Sequence, residues 1–269
     1  KLSLVKNTTC LDGSPAGFYY TPPASGGSSD TLVLFLEGGG VCFTEETCVS
    51  RSKSHLGSST YCTSGVPCTK EGDPLVSNNP SKNPFFYDAH HVFVPYCTGD
   101  VHSGTRPGPS RETWDLWFTG HNNLATIVET IINGNAFPGV ETVKHVLLSG
   151  ESAGGYGTFV NADWLTDRLA PLDMSVKAAP IGGFFFPTHA AGQPSWMQPS
   201  AFPCWVDGKS CGAEDTDAVI DLWESMLDPA CTSAQAPGAA FRCGSVGNLY
   251  PFIRTPMFIA ENDADTNQL

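Results

Sequence analysis

A serine set between small residues at the end of an apolar run is the strongest chemical signal in this sequence. Gly150-Glu151-Ser152-Ala153-Gly154 reads G-x-S-x-G and follows Val143-Lys144-His145-Val146-Leu147-Leu148. A strand, such a serine and then a helix make a nucleophile elbow, a tight turn that lifts the hydroxyl to the edge of a sheet. Small neighbours let the backbone make that turn. A serine hydroxyl attacks poorly on its own; it needs a base, a carboxylate to orient the base, and N–H donors for the oxyanion. The competing reading of Ser152 is a helix-entry serine that only caps.

The donors have candidates. The residue after the nucleophile, Ala153, supplies one N–H, and a glycine-rich loop after an earlier strand supplies the others. Gly38-Gly39-Gly40 follows the run Thr31 to Leu36 and so nominates Gly39 and Gly40. A plain turn would explain three glycines equally simply. A phosphate cradle would need G-x-x-x-x-G-K-[ST], which is missing here.

These residues must be positioned by a scaffold. Thr31 to Leu36 reads as a buried strand, His91 to Tyr96 as a second, 143–148 as the strand before the elbow, and Met174 to Ala179 as another. Asn122 to Ile132 carries Leu124, Ile127, Val128, Ile131 and Ile132 at helical spacing. A helix is expected from about Ala153 to Leu169 and another over Asp217 to Leu227, with Pro256 to Ala260 as a last short strand. Residues 41–83 read as long polar loops stapled by disulfides. Strands alternating with helices predict an α/β fold with a mainly parallel sheet covered on both faces, as one domain over 1–269.

Ten cysteines, an even number, include no C-x-x-C pair and no Cys/His cluster with zinc-ligand spacing. Disulfides and an oxidising compartment are expected instead. Asn7-Thr8-Thr9 is an N-glycosylation sequon, so secretion with Asn7 modified is the expectation. Fourteen basic against 27 acidic residues give a net charge of −13, which disfavours nucleic acid as a partner. No apolar run reaches the roughly 18 residues of a membrane span. No metal or organic cofactor is expected.

With the elbow and glycine loop in hand, the chain resembles the pectin acetylesterase / Notum family of carboxylesterases. The matching pieces are Leu36-Glu37-Gly38-Gly39-Gly40 with Cys42, Leu56-Gly57-Ser58-Ser59, Asn83-Pro84-Phe85-Phe86-Tyr87 and Val94-Pro95-Tyr96-Cys97 with Asp100. They continue with Gly150 to Gly155 and Asp265-Thr266-Asn267-Gln268-Leu269. They run in family order from residue 36 to 269. The resemblance implies an α/β-hydrolase-like fold and assigns the triad acid to Asp265, with Asp263 the neighbouring alternative; read from the residues alone, either is a solvated acidic loop. Together with spacing it also suggests the local pairs Cys42–Cys48 and Cys62–Cys68. The family's histidine lies after that aspartate, whereas His55, His90, His91, His102, His121, His145 and His189 all precede it. His145 is expected in a buried strand. The expectation is therefore a base carried on a C-terminal segment of the same precursor, together with a final strand.

The resemblance further implies an acylated glycan or small-molecule ester as substrate. Gly182-Gly183-Phe184-Phe185-Phe186 matches the family's aromatic segment, so Phe184 and Phe185 could line an acyl pocket; core packing explains them equally well. Gly40 stands where the Notum type has tryptophan and follows the pectin acetylesterase pattern. The leading expectation is a secreted serine esterase that removes an acetyl group from a carbohydrate. A Notum-type long-chain or protein-lipid deacylase is the alternative within the class, and a non-catalytic binding protein the alternative outside it.

Overall fold

The strands β1 (Ser3–Leu4), β2 (Gly17–Thr21), β3 (Thr31–Leu36), β4 (His90–Val94), β5 (His145–Glu151) and β6 (Ser175–Ile181) form one sheet in the order β1-β2-β4-β3-β5-β6. The structure, a computed structural model, describes residues 2–26, 29–63, 74–135, 137–185 and 213–262. β4, β3, β5 and β6 run parallel, while β1 and β2 add an antiparallel edge. The unbroken apolar run of β3 is what a central parallel strand needs, since both of its faces are covered. Leu32, Leu34 and Leu36 belong to one core cluster, and Val33 and Phe35 on the alternate face are equally buried.

The α-helices among the described residues are α1 (Glu45–Ser52), α2 (Thr60–Thr63), α3 (Gly120–Thr130), α4 (Ala153–Leu169), α5 (Ala213–Trp223), α6 (Pro229–Ala234) and α7 (Val246–Leu249). α3 lays Leu124, Ile127 and Val128 onto the cluster with Leu34, Val92 and Leu148. A second cluster gathers Tyr96, Phe118, Phe159 and Trp223. α4 contributes to both, through Leu165 and Leu169 to the first and Ala153, Tyr156 and Phe159 to the second. Helix, strand and elbow are thereby locked as one unit.

Several boundaries differ from the sequence reading. α3 starts two residues earlier than expected and gives way to a π-helical turn over Ile131–Asn135. The strand before the elbow begins at His145, and that histidine is exposed, with Nδ1 on the Ser175 hydroxyl at 2.8 Å, because it lies at the open start of β5. Residues 41–83 are more than loop. Thr44 opens α1 with a capping box closed by Thr47, and Glu45 and Glu46 suit the positive helix start. Only Cys48 of α1 is buried, so no apolar period marked it.

The disulfide expectation holds where it can be seen. Cys42–Cys48 pairs as suggested, Cys231 pairs with Cys243 twelve residues on, and Cys10–Cys97 joins residues 87 apart. The suggested Cys62–Cys68 pair lies outside the described residues.

Pro256 to Ala260 does not form a regular strand, yet it runs beside β6. Parallel bridges join Ala178 to Met257 and Ile181 to Ala260. Asp163 of α4 anchors its start, accepting from the N–H groups of Arg254 and Thr255 and from the Thr255 hydroxyl.

Candidate active site

Ser152 stands between β5 and α4 with φ 53° and ψ −116°. A non-glycine residue rarely takes a positive φ, and such a conformation costs about 1–3 kcal/mol, supplied by the surrounding packing. The reading of Ser152 as a mere cap fails. Its side chain makes no capping hydrogen bond, and its backbone lies outside the extended region that N-caps use. The serine is exposed, while α4 behind it is buried from Ala153 to Asp163.

The neighbours show why the elbow needs small residues. A β-carbon on Gly150 would come 2.5 Å from the Gly154 carbonyl oxygen and 2.6 Å from that of Leu36. One on Gly154 would come 2.0 Å from the Leu36 oxygen. The Ser152 N–H donates to the Ile181 carbonyl at 2.8 Å, and the Tyr156 N–H to the Ser152 carbonyl at 2.9 Å. The turn is thus clamped between β3, β6 and its own helix.

The glycine loop meets the elbow directly. Gly38 is buried against Glu151 and Ser152. Gly39 and Gly40 follow with φ 145° and 69°, conformations that side chains resist. Among the described residues, the N–H groups of Gly39, Gly40 and Ala153 donate to no protein acceptor. Unspent donors in the residue after an exposed serine and in the loop packed against it are what an oxyanion requires.

Beneath the loop sits a buried polar network. Glu37 accepts from the Tyr96 N–H at 2.8 Å through its carboxylate, and its carbonyl is 2.9 Å from His102 Nε2. Burial holds the His102 imidazole down to about 4, only partly offset by that carbonyl, so it donates as a neutral ring. Asp100 accepts from the Thr98 hydroxyl at 2.6 Å and the Gly120 N–H at 2.8 Å. Burial raises its carboxyl pKa, with those donors opposing.

No histidine among the described residues hydrogen-bonds Ser152. His90 is on the Tyr20 hydroxyl, His91 on the Phe86 carbonyl, His102 on Glu37, His121 on Asn161 and His145 on Ser175. His189, Asp263, Asp265 and Phe186 lie outside the described residues. No cluster of three or more metal-ligating side chains occurs among the described residues.

Phe184 makes an aromatic triangle with Phe159 and Tyr250, at centroid distances of 5.7 and 6.0 Å, and Phe185 joins the same half-buried packing. The Phe184 N–H also donates to Glu261 at 2.9 Å. Asn7 is exposed at φ 63°, while the Thr8 hydroxyl donates to the Val5 and Ala16 carbonyls. No helix among the described residues is long and apolar enough to cross a membrane.

Sequence reasoning missed Arg51. It lies in the last turn of α1 and reaches the glycine loop, with Nη2 on the Gly39 carbonyl at 2.5 Å. No motif contains it; the contact is made by tertiary packing alone.

Known proteins resemble this chain over its length. The chain is 33% identical over 277 residues to the palmitoleoyl-protein carboxylesterase notum1a of Danio rerio, covering all of this chain and 51% of that one. It is 30% identical over 262 residues to pectin acetylesterase 4 of Arabidopsis thaliana, covering 97% of this chain and 57% of that one. It therefore spans about half the length of the curated relatives it matches. A crystal structure of the Wnt deacylase Notum from Drosophila superposes with a TM-score of 0.76 at 31% identity, covering 97% of this chain and 70% of that one. The α/β-hydrolase-like fold is thus shared with a solved relative, and the pectinacetylesterase family model matches residues 1–269. By that match over its whole length, this chain belongs to the pectinacetylesterase family.

Proposed function

We propose that the protein is a secreted serine carboxylesterase that removes an acetyl group from a carbohydrate or related natural product. The observation that carries this reading is the exposed, positive-φ Ser152 packed against Gly38, at the start of a glycine loop whose Gly39 and Gly40 N–H groups donate to no protein acceptor among the described residues. Ser152 attacks the ester carbonyl. The N–H groups of Gly39, Gly40 and Ala153 stabilise the tetrahedral oxyanion. Its collapse breaks the ester C–O bond, and the histidine hands the serine proton to the departing alcohol. Water, deprotonated by the same histidine, then hydrolyses the acyl-serine to release the acid. Asp265 orients the histidine that takes the serine proton, and that histidine is carried on the C-terminal segment of the same precursor. The five described histidines with named hydrogen-bond partners are all engaged elsewhere, which supports that placement.

The three disulfides among the described residues support an oxidising compartment, and exposed Asn7 supports a glycan there. For the acyl group, exposed Gly40 leaves the mouth of the loop open where a large side chain would crowd it; among the described residues a β-carbon there would meet only Arg51, at 3.5 Å. The resemblance of this position to the pectin acetylesterase pattern favours a small acyl group on a bulky alcohol. The long-chain reading keeps a specific support. Relatives named for palmitoleoyl-protein cleavage match at 33% identity, against 30% for the plant acetylesterase.

A fluorophosphonate applied to the full-length protein tests the enzyme reading. One adduct on Ser152 is expected. A folded protein without an adduct would leave the binding-protein reading. Esters of increasing acyl length then decide the substrate class: faster turnover of long chains than of acetyl would replace the acetylesterase with a lipid deacylase.

A further inference from the structure

We infer that Arg51 is a positioning residue for the oxyanion hole: it fixes the Gly39–Gly40 peptide so that the Gly40 N–H is presented for catalysis. The inference rests on the esterase reading above.

The guanidinium of Arg51 spans two backbone carbonyls. Nη2 lies 2.5 Å from the Gly39 oxygen and Nη1 3.5 Å from that of Leu56. Its carbon sits 5.4 Å from the centre of the Tyr96 ring, so the fork lies over an aromatic face. Gly99 lets it pass, since a β-carbon there would come 3.0 Å from Arg51 Cδ and 2.8 Å from the Cys42 sulfur. The Cys42–Cys48 disulfide ties α1 to the chain two residues beyond Gly40. No carboxylate among the described residues forms an ion pair with this half-buried cation. Its described hydrogen bonds all go to backbone.

A planar trans peptide points its C=O and its N–H in opposite directions. Holding the Gly39 oxygen towards Arg51 therefore turns the Gly40 N–H away from it. Glycine needs such a restraint. With φ 145° at Gly39 and 69° at Gly40, this peptide joins two residues that can rotate where others cannot, and a flip would replace the donor with a repelling carbonyl oxygen. The full charge on Arg51 also polarises the peptide and strengthens the donor at its far end. Lysine would keep the charge but not the two-carbonyl fork.

The test compares wild type, Arg51→Lys and Arg51→Ala in the full-length protein. Turnover of an acetyl ester is measured, together with amide hydrogen exchange over residues 37–41. The alanine variant is expected to lose about 10- to 100-fold in kcat with little change in KM, as for a misplaced donor. Its exchange over 37–41 rises, and added ethylguanidine restores part of kcat. The lysine variant falls between the two, and it carries the test if the alanine variant does not fold. Unchanged kcat and exchange overturn the inference, as does a loss of kcat that ethylguanidine leaves untouched while exchange over 37–41 stays at wild-type values. If wild type neither turns over esters nor takes a fluorophosphonate, the esterase reading fails by itself. The exchange comparison still reports whether Arg51 holds the loop.

Discussion

Gly38 lies so close to Ser152 that a β-carbon on it would come 3.1 Å from the serine's own Cβ and 2.4 Å from the Glu151 carbonyl oxygen. The glycine loop and the elbow are therefore one packed object. Gly38→Ala forces the backbone apart by several tenths of an ångström, because the clash is with a carbonyl rather than a side-chain tip. A stability loss of about 1–3 kcal/mol is expected from such overpacking. The same shift moves donor and nucleophile relative to each other, so fluorophosphonate labelling slows at temperatures where the variant is still folded. Wild-type melting and labelling rates in Gly38→Ala would show that loop and elbow are not in register.

The positive φ of Ser152 sets function against stability at one residue. Ser152→Ala and Ser152→Gly both remove the nucleophile and should both abolish labelling. They differ in strain: alanine keeps the β-carbon that resists φ 53°, and glycine does not. Ser152→Gly should be the more stable of the two by about 1 kcal/mol, read as a higher melting midpoint. Equal midpoints would mean that the elbow stores little strain.

The parts legible in the sequence were those written in local pattern. The apolar run of β3 appears at Thr31–Leu36 as expected, and α4 occupies Ala153–Leu169 because its start is fixed by the elbow. α1 was missed for a physical reason. Its order comes from the Thr44 cap and the Cys42–Cys48 bridge, and a helix that buries only Cys48 has no apolar stripe to detect. The signal that could have found it was Thr44 followed by Glu45 and Glu46. His145 misled because an apolar run does not tell where a strand enters solvent. Arg51 was invisible, since its partner Gly39 is 12 residues away and the contact depends on how α1 folds back.

Acid should weaken the fold through its buried histidines. In the unfolded chain His102 takes a proton near pH 6.5; in the folded protein burial delays that to about 4. Between those values the unfolded state binds more protons. The contribution is complete above pH 6.5 and is lost as pH falls towards 4, a difference of about 3 kcal/mol. Burial also lowers His90, His91 and His121, which act in the same direction. Asp100 opposes them, because burial raises its carboxyl and protonation then favours the fold. Urea midpoints should drop from pH 7.5 to pH 4.5. The drop should be smaller in His102→Asn, which is less stable at pH 7.5 but has no imidazole to protonate. An undiminished drop in the variant would assign the acid sensitivity to the other groups.

Substitution decides which of two aspartates is the acid of the triad, and the described chain leads up to both. Ser152 donates its N–H to Ile181, and Ile181 is bridged to Ala260 on its other side. The segment entering at Pro256 thus runs parallel to β5 and β6 and leaves the sheet at the edge that carries the elbow. Glu261 does not continue towards the serine: its carboxylate accepts the N–H groups of Gly183 and Phe184 at 3.0 and 2.9 Å. This anchors the chain immediately before Asp263 and Asp265. An orienting carboxylate must accept from an imidazole N–H, and the amide of asparagine stabilises the wrong tautomer. Asp265→Asn is accordingly expected to lower kcat by about 10⁴-fold with folding intact. Asp263→Asn, two residues away in sequence and with the same change of charge, should cost less than about a tenth as many powers of ten, as for a solvated carboxylate. Stopped-time assays on an acetyl ester separate the two variants, and a large loss in Asp263→Asn alone would move the role to that residue.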